Sequence, residues 1–295
     1  MDHGRNREII RTKLASFGIA ATVERQSAGP VVTQYEVEPD ASVRLSRIEA
    51  LADDLAMALS ARSIRIQAPI PGRSVVGIEI PNREGAIVDL RSVFETREMA
   101  GPGARLMFAL GQDVGGAAVA TDLAKMPHLL IAGATGSGKS VMVNALIASL
   151  LFHNRPSELR LILVDPKRVE LSAYNGLPHL LVPVITEAER AASALRWAVL
   201  EMERRYRLFA EAGARNIEGY NETRVDALDR IPFVVVVIDE LADLMMQDAR
   251  ETEEPIVRIA QKARATGIHL VLATQRPSVN VVTGLIKANI PSRIA

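Results

Sequence analysis

His128-Leu-Leu-Ile-Ala132, then Gly133-Ala134-Thr135-Gly136-Ser137-Gly138-Lys139-Ser140, then Val141-Met-Val-Asn-Ala-Leu-Ile-Ala-Ser-Leu-Leu-Phe152 run on from one another without interruption. The first piece is short and apolar, which reads as a buried strand, and the last is an apolar helix. Between them lies a loop whose glycines let consecutive main-chain N–H groups curl around one point. The loop fits G-x-x-x-x-G-K-[ST], in which the amides cradle phosphate oxygens, Lys139 neutralises the β and γ phosphates of a nucleotide and the Ser140 hydroxyl ligates Mg²⁺. The helix that opens near Lys139 adds its positive end.

Working outward, similar apolar runs recur at Leu159 to Val164, Val182 to Ile185, Phe233 to Ile238 and Ile268 to Ala273, separated by amphipathic segments. That alternation predicts a parallel sheet covered on both faces. A long helix is expected from Glu187 to Ala212, with Glu201/Arg205 and Glu203/Arg207 spaced for i,i+4 pairing and Gly213 as its stop. Another is expected from about Pro255 to Thr266, with proline in the first turn.

Phe233 to Ile238 ends in Asp239 and Glu240. Asp239 is placed to hold Mg²⁺ through water and Glu240 to polarise an attacking water, although an N-cap is the ordinary use of such acids. Ile268 to Ala273 ends in Thr274 and Gln275; Gln275 is either a sensor of the γ-phosphate or a solvated loop residue. Asp165, after Leu159 to Val164, is either a ligand-edge carboxylate or a turn cap. The five histidines show no metal-ligand spacing.

The first hundred residues read as a small α+β unit. A helix from about Arg5 to Phe17 is stopped by Gly18, a strand runs from Pro30 to Val37, and a helix spans Leu45 to Leu59. Strands Ser63 to Gln67 and Ser74 to Ile80 are joined through Pro71-Gly72. A glycine-rich connector, 101–126, separates this unit (1–100) from the larger one (127–295).

Composition removes other classes. The chain has 295 residues, 48% of them hydrophobic, and no cysteine. Disulfides, thiolate metal sites and a cysteine nucleophile are therefore excluded. Thirty-five basic and 35 acidic residues cancel, so a polyanion site must be local. No apolar run approaches the roughly 20 residues that span a bilayer, and the N-terminus lacks the apolar core of a secretory leader.

Several longer stretches, HLLIAGATGSGKSVMVNALIASLLF, LVDPKRVELSAYNGLPHLLVPV, VVVVIDELADLMM and RIAQKARATGIHLVLATQRPSVNVVTGLIKANIPSRIA, resemble the motor of the FtsK/SpoIIIE bacterial DNA translocases. The first hundred residues resemble the smaller subdomain that precedes that motor. The resemblance implies a RecA-like P-loop ATPase that assembles as a ring, commonly a hexamer, around double-stranded DNA and moves it during chromosome segregation and cell division. ATP and Mg²⁺ would bind at Gly133 to Ser140, with Asp239 and Glu240 as metal-associated and catalytic acids and Gln275 as γ-phosphate sensor. A neighbouring subunit would supply an arginine, for which Arg258 and Arg264 are candidates. Arg276 and Lys287 are candidates for gripping DNA phosphates. The same core in a conjugation, packaging or secretion ATPase, or in a scaffold that binds nucleotide without hydrolysis, is the alternative; Glu240 argues against the scaffold.

The resemblance further implies that this sequence is a piece of a longer product. The family's membrane-spanning N-terminal region and C-terminal winged-helix module lie outside it, and the motor continues beyond Pro291 to Ala295. This segment would work in the cytoplasm without touching the membrane, anchored there by the absent N-terminal region.

Overall fold

Strands buried on both faces need helices on each side, and the chain supplies them in alternation. The computed structural model describes residues 3–99 and 105–295. It divides into two compact units, Met1–Thr96 with Gly111–Val119, and Arg97–Leu110 with Ala120–Ala295.

The first unit contains α1 (His3–Ser16), β1 (Ala21–Ala28), β2 (Val32–Pro39), α2 (Leu45–Glu49), α3 (Ala52–Ala58), β3 (Arg65–Gln67), β4 (Val76–Pro81) and α4 (Leu90–Phe94). Its strands form an antiparallel sheet in the order β1-β2-β4-β3. Ile10 and Leu14 of α1, Ile48 of α2 and Leu55 of α3 pack on Tyr35, Val37 and Ile78. The helix expected over Leu45 to Leu59 is broken at Ala50 and Leu51 into α2 and α3. The strand β1 went unread because ATVERQSA has no apolar alternation; as an edge strand it buries none of its residues fully. The turn at Pro71-Gly72 holds, with Gly72 at φ 76°.

Next come β5 (Met107–Gln112) and β6 (Ala118–Asp122), which pair with each other inside the stretch read as connector. The Gly101 to Gly103 part of that stretch lies outside the described residues.

The second unit continues with β7 (His128–Ala132), α5 (Lys139–His153), β8 (Leu159–Val164), α6 (Ala188–Ala212), α7 (Ile217–Glu222), β9 (Phe233–Ile238), α8 (Leu241–Gln247), α9 (Ala249–Lys262), β10 (Ile268–Thr274), α10 (Gly284–Asn289) and β11 (Arg293–Ile294). Five strands pair in parallel in the order β11-β7-β10-β9-β8. Alternate residues of one strand feed opposite cores. Val234, Val236 and Ile238 join α6, α8 and α9 on one side, while Phe233, Val235 and Val237 join Val143, Leu146 and Leu150 of α5 on the other. Full burial of each such side chain contributes roughly 1.5–3 kcal/mol.

In this second unit the structure corrects three expectations. Val182 to Ile185 makes a single isolated bridge, Ile185 with Val164, and just ahead of it Leu180 makes another with Leu161; Pro183 has no N–H to continue a ladder. The helix expected from Pro255 begins at Ala249, because Asp248 caps it by accepting from Glu251 N at 3.0 Å, and Pro255 lies inside it. Its last turn, Ala263–Thr266, is a 3-10 turn ended by Gly267 at φ 70°. In α6 the Glu201–Arg205 pair forms at 2.8 Å, but Glu203 is engaged by Arg258 of α9 rather than by Arg207. The buried Arg205 also donates to Thr266 O at 2.8 Å, tying α6 to the turn before β10. No helix among the described residues is long and apolar enough to cross a membrane.

Candidate active site

Register decides which loops meet. Ala132 of β7 lies beside Thr274 of β10, and Ile238 of β9 lies between Leu272 of β10 and Val164 of β8. The segments that leave these strands therefore emerge along one edge of the sheet, where open parallel sheets hold ligands.

At that edge Gly133 N donates to Thr274 O at 3.2 Å, and Gly136 and Gly138 adopt φ of 83° and 97°. Only glycine takes these angles without strain. A Cβ on Gly133 would stand 2.2 Å from Ser137 Oγ, so the loop is wound tightly. Residues 134–138 are largely exposed while Lys139 is buried; the Ser137 amide donates to Ala134 O at 3.0 Å, and the rest of the loop presents exposed main chain to an anion at the start of α5.

Lys139 Nζ donates to Asp239 Oδ1 at 2.6 Å and to Asp239 O at 2.7 Å, with both side chains 3% exposed. Burial raises the Asp239 carboxyl above its usual range; Lys139 opposes the shift, and the charges of Asp165 and Glu170 add to it. Glu240 is an N-cap, accepting from Ala242 N at 3.4 Å, and more. Its Oε1 accepts from Thr274 Oγ1 at 2.7 Å, both oxygens accept from Gln275 N at 3.2 Å, and Oε2 accepts from Lys167 Nζ at 3.1 Å. Burial would raise this carboxyl, but the bonds from Thr274, Lys167 and Gln275 outweigh it and hold Glu240 below its usual range.

Ser140 Oγ donates to Glu170 Oε1 at 2.8 Å. Asp165 proves to be a turn cap: its Oδ2 accepts from Glu170 N and Leu171 N at 3.0 Å each. Gln275 Oε1 lies 3.5 Å from Thr135 Oγ1, so β10, between β7 and β9, brings this side chain to the loop. The sequence reading missed Lys167, Glu170 and Thr274. The signal was present in Asp165-Pro-Lys-Arg-Val-Glu170, a charge-rich turn directly after a buried strand.

The hydroxyl of Ser140 and the carboxylates of Asp239 and Glu170 form an all-oxygen donor set at one end of the glycine cradle. This is the chemistry a hard divalent cation such as Mg²⁺ takes, so the residues fit the expected metal. Among the described residues no group of three or more His, Asp or Glu is arranged as a ligand cluster of its own.

The remaining candidates lie apart. Arg258 is committed to Glu203. Arg264 is exposed and lines a cleft of about 730 Å³ with Arg105, Lys125, Arg215 and Lys262, beside Phe233 and His269 at the starts of β9 and β10. One strand length, about 20 Å at roughly 3.3 Å per residue, separates it from its own phosphate loop. Arg276 and Lys287 are exposed; the Arg276 amide is held by Thr274 Oγ1 at 3.0 Å, and Lys287 lies on α10. His128 and His269 are buried, and His153 and His179 bond main-chain carbonyls.

Comparison with known proteins gives the family and the fold. The FtsK/SpoIIIE family profile matches residues 89–279, and the profile of the FtsK alpha domain matches residues 2–82. The DNA translocase FtsK of Sporosarcina ureae is 54% identical over 297 residues, 98% of this chain and 38% of that protein. The DNA translocase SpoIIIE of Bacillus subtilis (strain 168) is 54% identical over 296 residues, again 98% of this chain and 38% of its own length. This chain thus spans well under half of the curated relatives it matches.

Among solved structures, the pCW3 conjugation coupling protein TcpA, in its monomer form with ATPγS, has 25% identity and a TM-score of 0.61, covering 98% of this chain and 82% of TcpA. The cytoplasmic domain of the Thermomonospora curvata type VII secretion ATPase EccC has 28% identity and a TM-score of 0.56, covering 69% of this chain and 25% of EccC. The fold is that of the P-loop ATPases, and the chain belongs to the FtsK/SpoIIIE family.

Proposed function

We propose that this chain is the motor segment of an ATP-driven double-stranded DNA translocase acting in chromosome segregation and cell division. The observation that carries this reading is the buried Lys139–Asp239 pair beside Glu240, set under an open amide cradle. The names of relatives 54–55% identical along nearly the whole chain support DNA as the track. Conjugation or secretion by the same core rests on identities of only 25–28%.

In this reading the amides of 134–138 hold the β and γ phosphates of ATP, and Lys139 exchanges part of its bond to Asp239 for phosphate oxygens. Ser140 and Asp239, backed by Glu170, would hold Mg²⁺, which when bound would supply neutralisation of phosphate charge. Glu240, fixed by Thr274 and the Gln275 amide, accepts the proton of the attacking water. Gln275 reaches the loop through Thr135 and reports whether the γ-phosphate is present.

Arg264, unlike Arg258, has no acidic partner among the described residues and lies at the far edge of its own sheet. It therefore suits the site of a neighbouring copy, where its charge stabilises the transition state; a hexameric ring provides such neighbours. Arg276, next to Gln275 in the chain, and Lys287 on α10, both exposed, would contact DNA phosphates and so tolerate any sequence. The segment would operate in the cytoplasm, where ATP and chromosomal DNA are found.

The test is ATP turnover measured with linear duplexes of unrelated sequence across a salt series. Stimulation independent of sequence and falling steeply with salt, by a slope of about −0.9 per phosphate contact, is expected. Absence of turnover with every duplex, or a strong base preference, overturns the reading.

A further inference from the structure

Glu240 is the base of the proposed hydrolysis, and the role assigned to its neighbour Lys167 rests on that reading. A carboxylate offers about four lone-pair directions, and a base must keep one for water. In Glu240, 2% exposed, they are taken. Oε1 accepts the Thr274 hydroxyl at 2.7 Å and the Ala242 amide at 3.4 Å, the Gln275 amide is shared at 3.2 Å, and Oε2 accepts Lys167 Nζ at 3.1 Å. Two of these donors are main-chain amides and one is a short buried side chain on β10, so none of the three can leave without moving the sheet edge. Lys167 can. Its side chain is long, flexible and 42% exposed.

Lys167 also occupies a defined place. The loop after β8 is pinned by Asp165, which accepts from Glu170 N and Leu171 N, and it turns at Arg168, whose φ of 58° is uncommon for a residue with a Cβ. From that turn Lys167 reaches Glu240 and, three residues on, Glu170 reaches Ser140. One short loop thus holds both the proposed base and the hydroxyl proposed to hold the metal.

The geometry points to Lys167 as a positioning residue, a latch that occupies Oε2 of Glu240 and, even with a triphosphate in the cradle, yields that oxygen to water only part of the time. The latch limits wasted hydrolysis; it does not bind nucleotide. Removing it leaves Glu240 open at all times, whereas arginine at the same place keeps a cation on the carboxylate.

The experiment compares the full chain with Lys167→Met and Lys167→Arg in steady-state ATP turnover without DNA. Lys167→Met is expected to raise kcat about 2- to 5-fold, the scale of losing one partly exposed ion pair, with KM within about twofold. Lys167→Arg should stay within about twofold of the parent. Turnover in Lys167→Met equal to or below the parent overturns the latch.

A second readout needs no nucleotide. Urea midpoints of Lys167→Met, Glu240→Gln and the double variant should be non-additive, and additive midpoints overturn the contact on which the latch depends. Parental turnover by Glu240→Gln alone would instead overturn the assignment of the base, leaving the urea cycle to judge the Lys167–Glu240 coupling by itself.

Discussion

Lys139 and Asp239 are a hundred positions apart, yet the ammonium of one donates to both the carboxylate and the carbonyl of the other, at 2.6 and 2.7 Å. The pair is buried and its alignment is set by β7 and β9, which do not touch but flank β10. A cation held this close by a replaceable partner is stored beside the cradle, ready for phosphate.

Replacing Lys139 by alanine should therefore abolish turnover and weaken ATP binding at least about 10- to 100-fold, from roughly 1.5–3 kcal/mol for a charge-assisted bond. Fold stability should fall less than for an ordinary broken buried pair, because Asp239 already titrates above its usual range and can take up a proton. Equilibrium binding of a fluorescent ATP analogue and thermal melts read the two effects separately.

Glu240→Gln keeps an acceptor oxygen for Thr274 and the Gln275 amide but loses the basic carboxylate. Turnover should drop by about 10²–10⁴-fold, the usual contribution of a general base, with ATP affinity nearly unchanged. Single-turnover kinetics with retained nucleotide measured by filter binding would show it; turnover at the parental rate removes Glu240 from the chemistry.

Gly136→Ala and Gly138→Ala test the cradle without steric conflict, since a Cβ at either position meets nothing within 4 Å. Their positive φ angles alone should cost about 1–2 kcal/mol each and raise KM for ATP as the amides turn away. Gly133→Ala acts differently, by displacing the Ser137 hydroxyl. An unchanged KM in Gly138→Ala would mean that its backbone angle does not shape the cradle.

Burial pushes His128 down to about 3, helped by His269, and His269 down to about 4 against the hydrogen bond to Pro127 and the charge of Asp122. Both lie below the ordinary value of 6.5, so on acidification the unfolded chain takes up protons first. This stability is complete above pH 6.5 and drains away down to about pH 4 for His269 and about pH 3 for His128; at pH 5 the loss is up to about 2 kcal/mol for each histidine. Melting temperatures should fall over that window, and the fall should flatten in His128→Asn with His269→Asn, where asparagine can keep the bonds to Leu270 N and Pro127 O.

Arg205→Met removes a buried guanidinium that joins Glu201 to Thr266 O. The orphaned carbonyl and half-freed carboxylate should lower stability by about 2–4 kcal/mol, read by urea unfolding, while leaving the phosphate loop intact.

Short-range features were legible in the amino-acid order. Gly133 to Ser140 and the run ending at Asp239 and Glu240 specify themselves, since a glycine's free φ, a helix start and a buried strand each depend on a few neighbouring residues. Pairing is another matter. That β10 runs between β7 and β9, that Pro183 keeps Val182 to Ile185 out of the sheet, and that β1 exists at all depend on partners far along the chain. Lys167 and Glu170 stand in a charge-rich turn after a buried strand, which marks the place but not the partners, and Thr274 looked like an ordinary polar residue. Only the folded sheet, by bringing four strand ends to one edge, gave Lys167 a carboxylate to hold, Glu170 a hydroxyl to accept and Thr274 a base to fix.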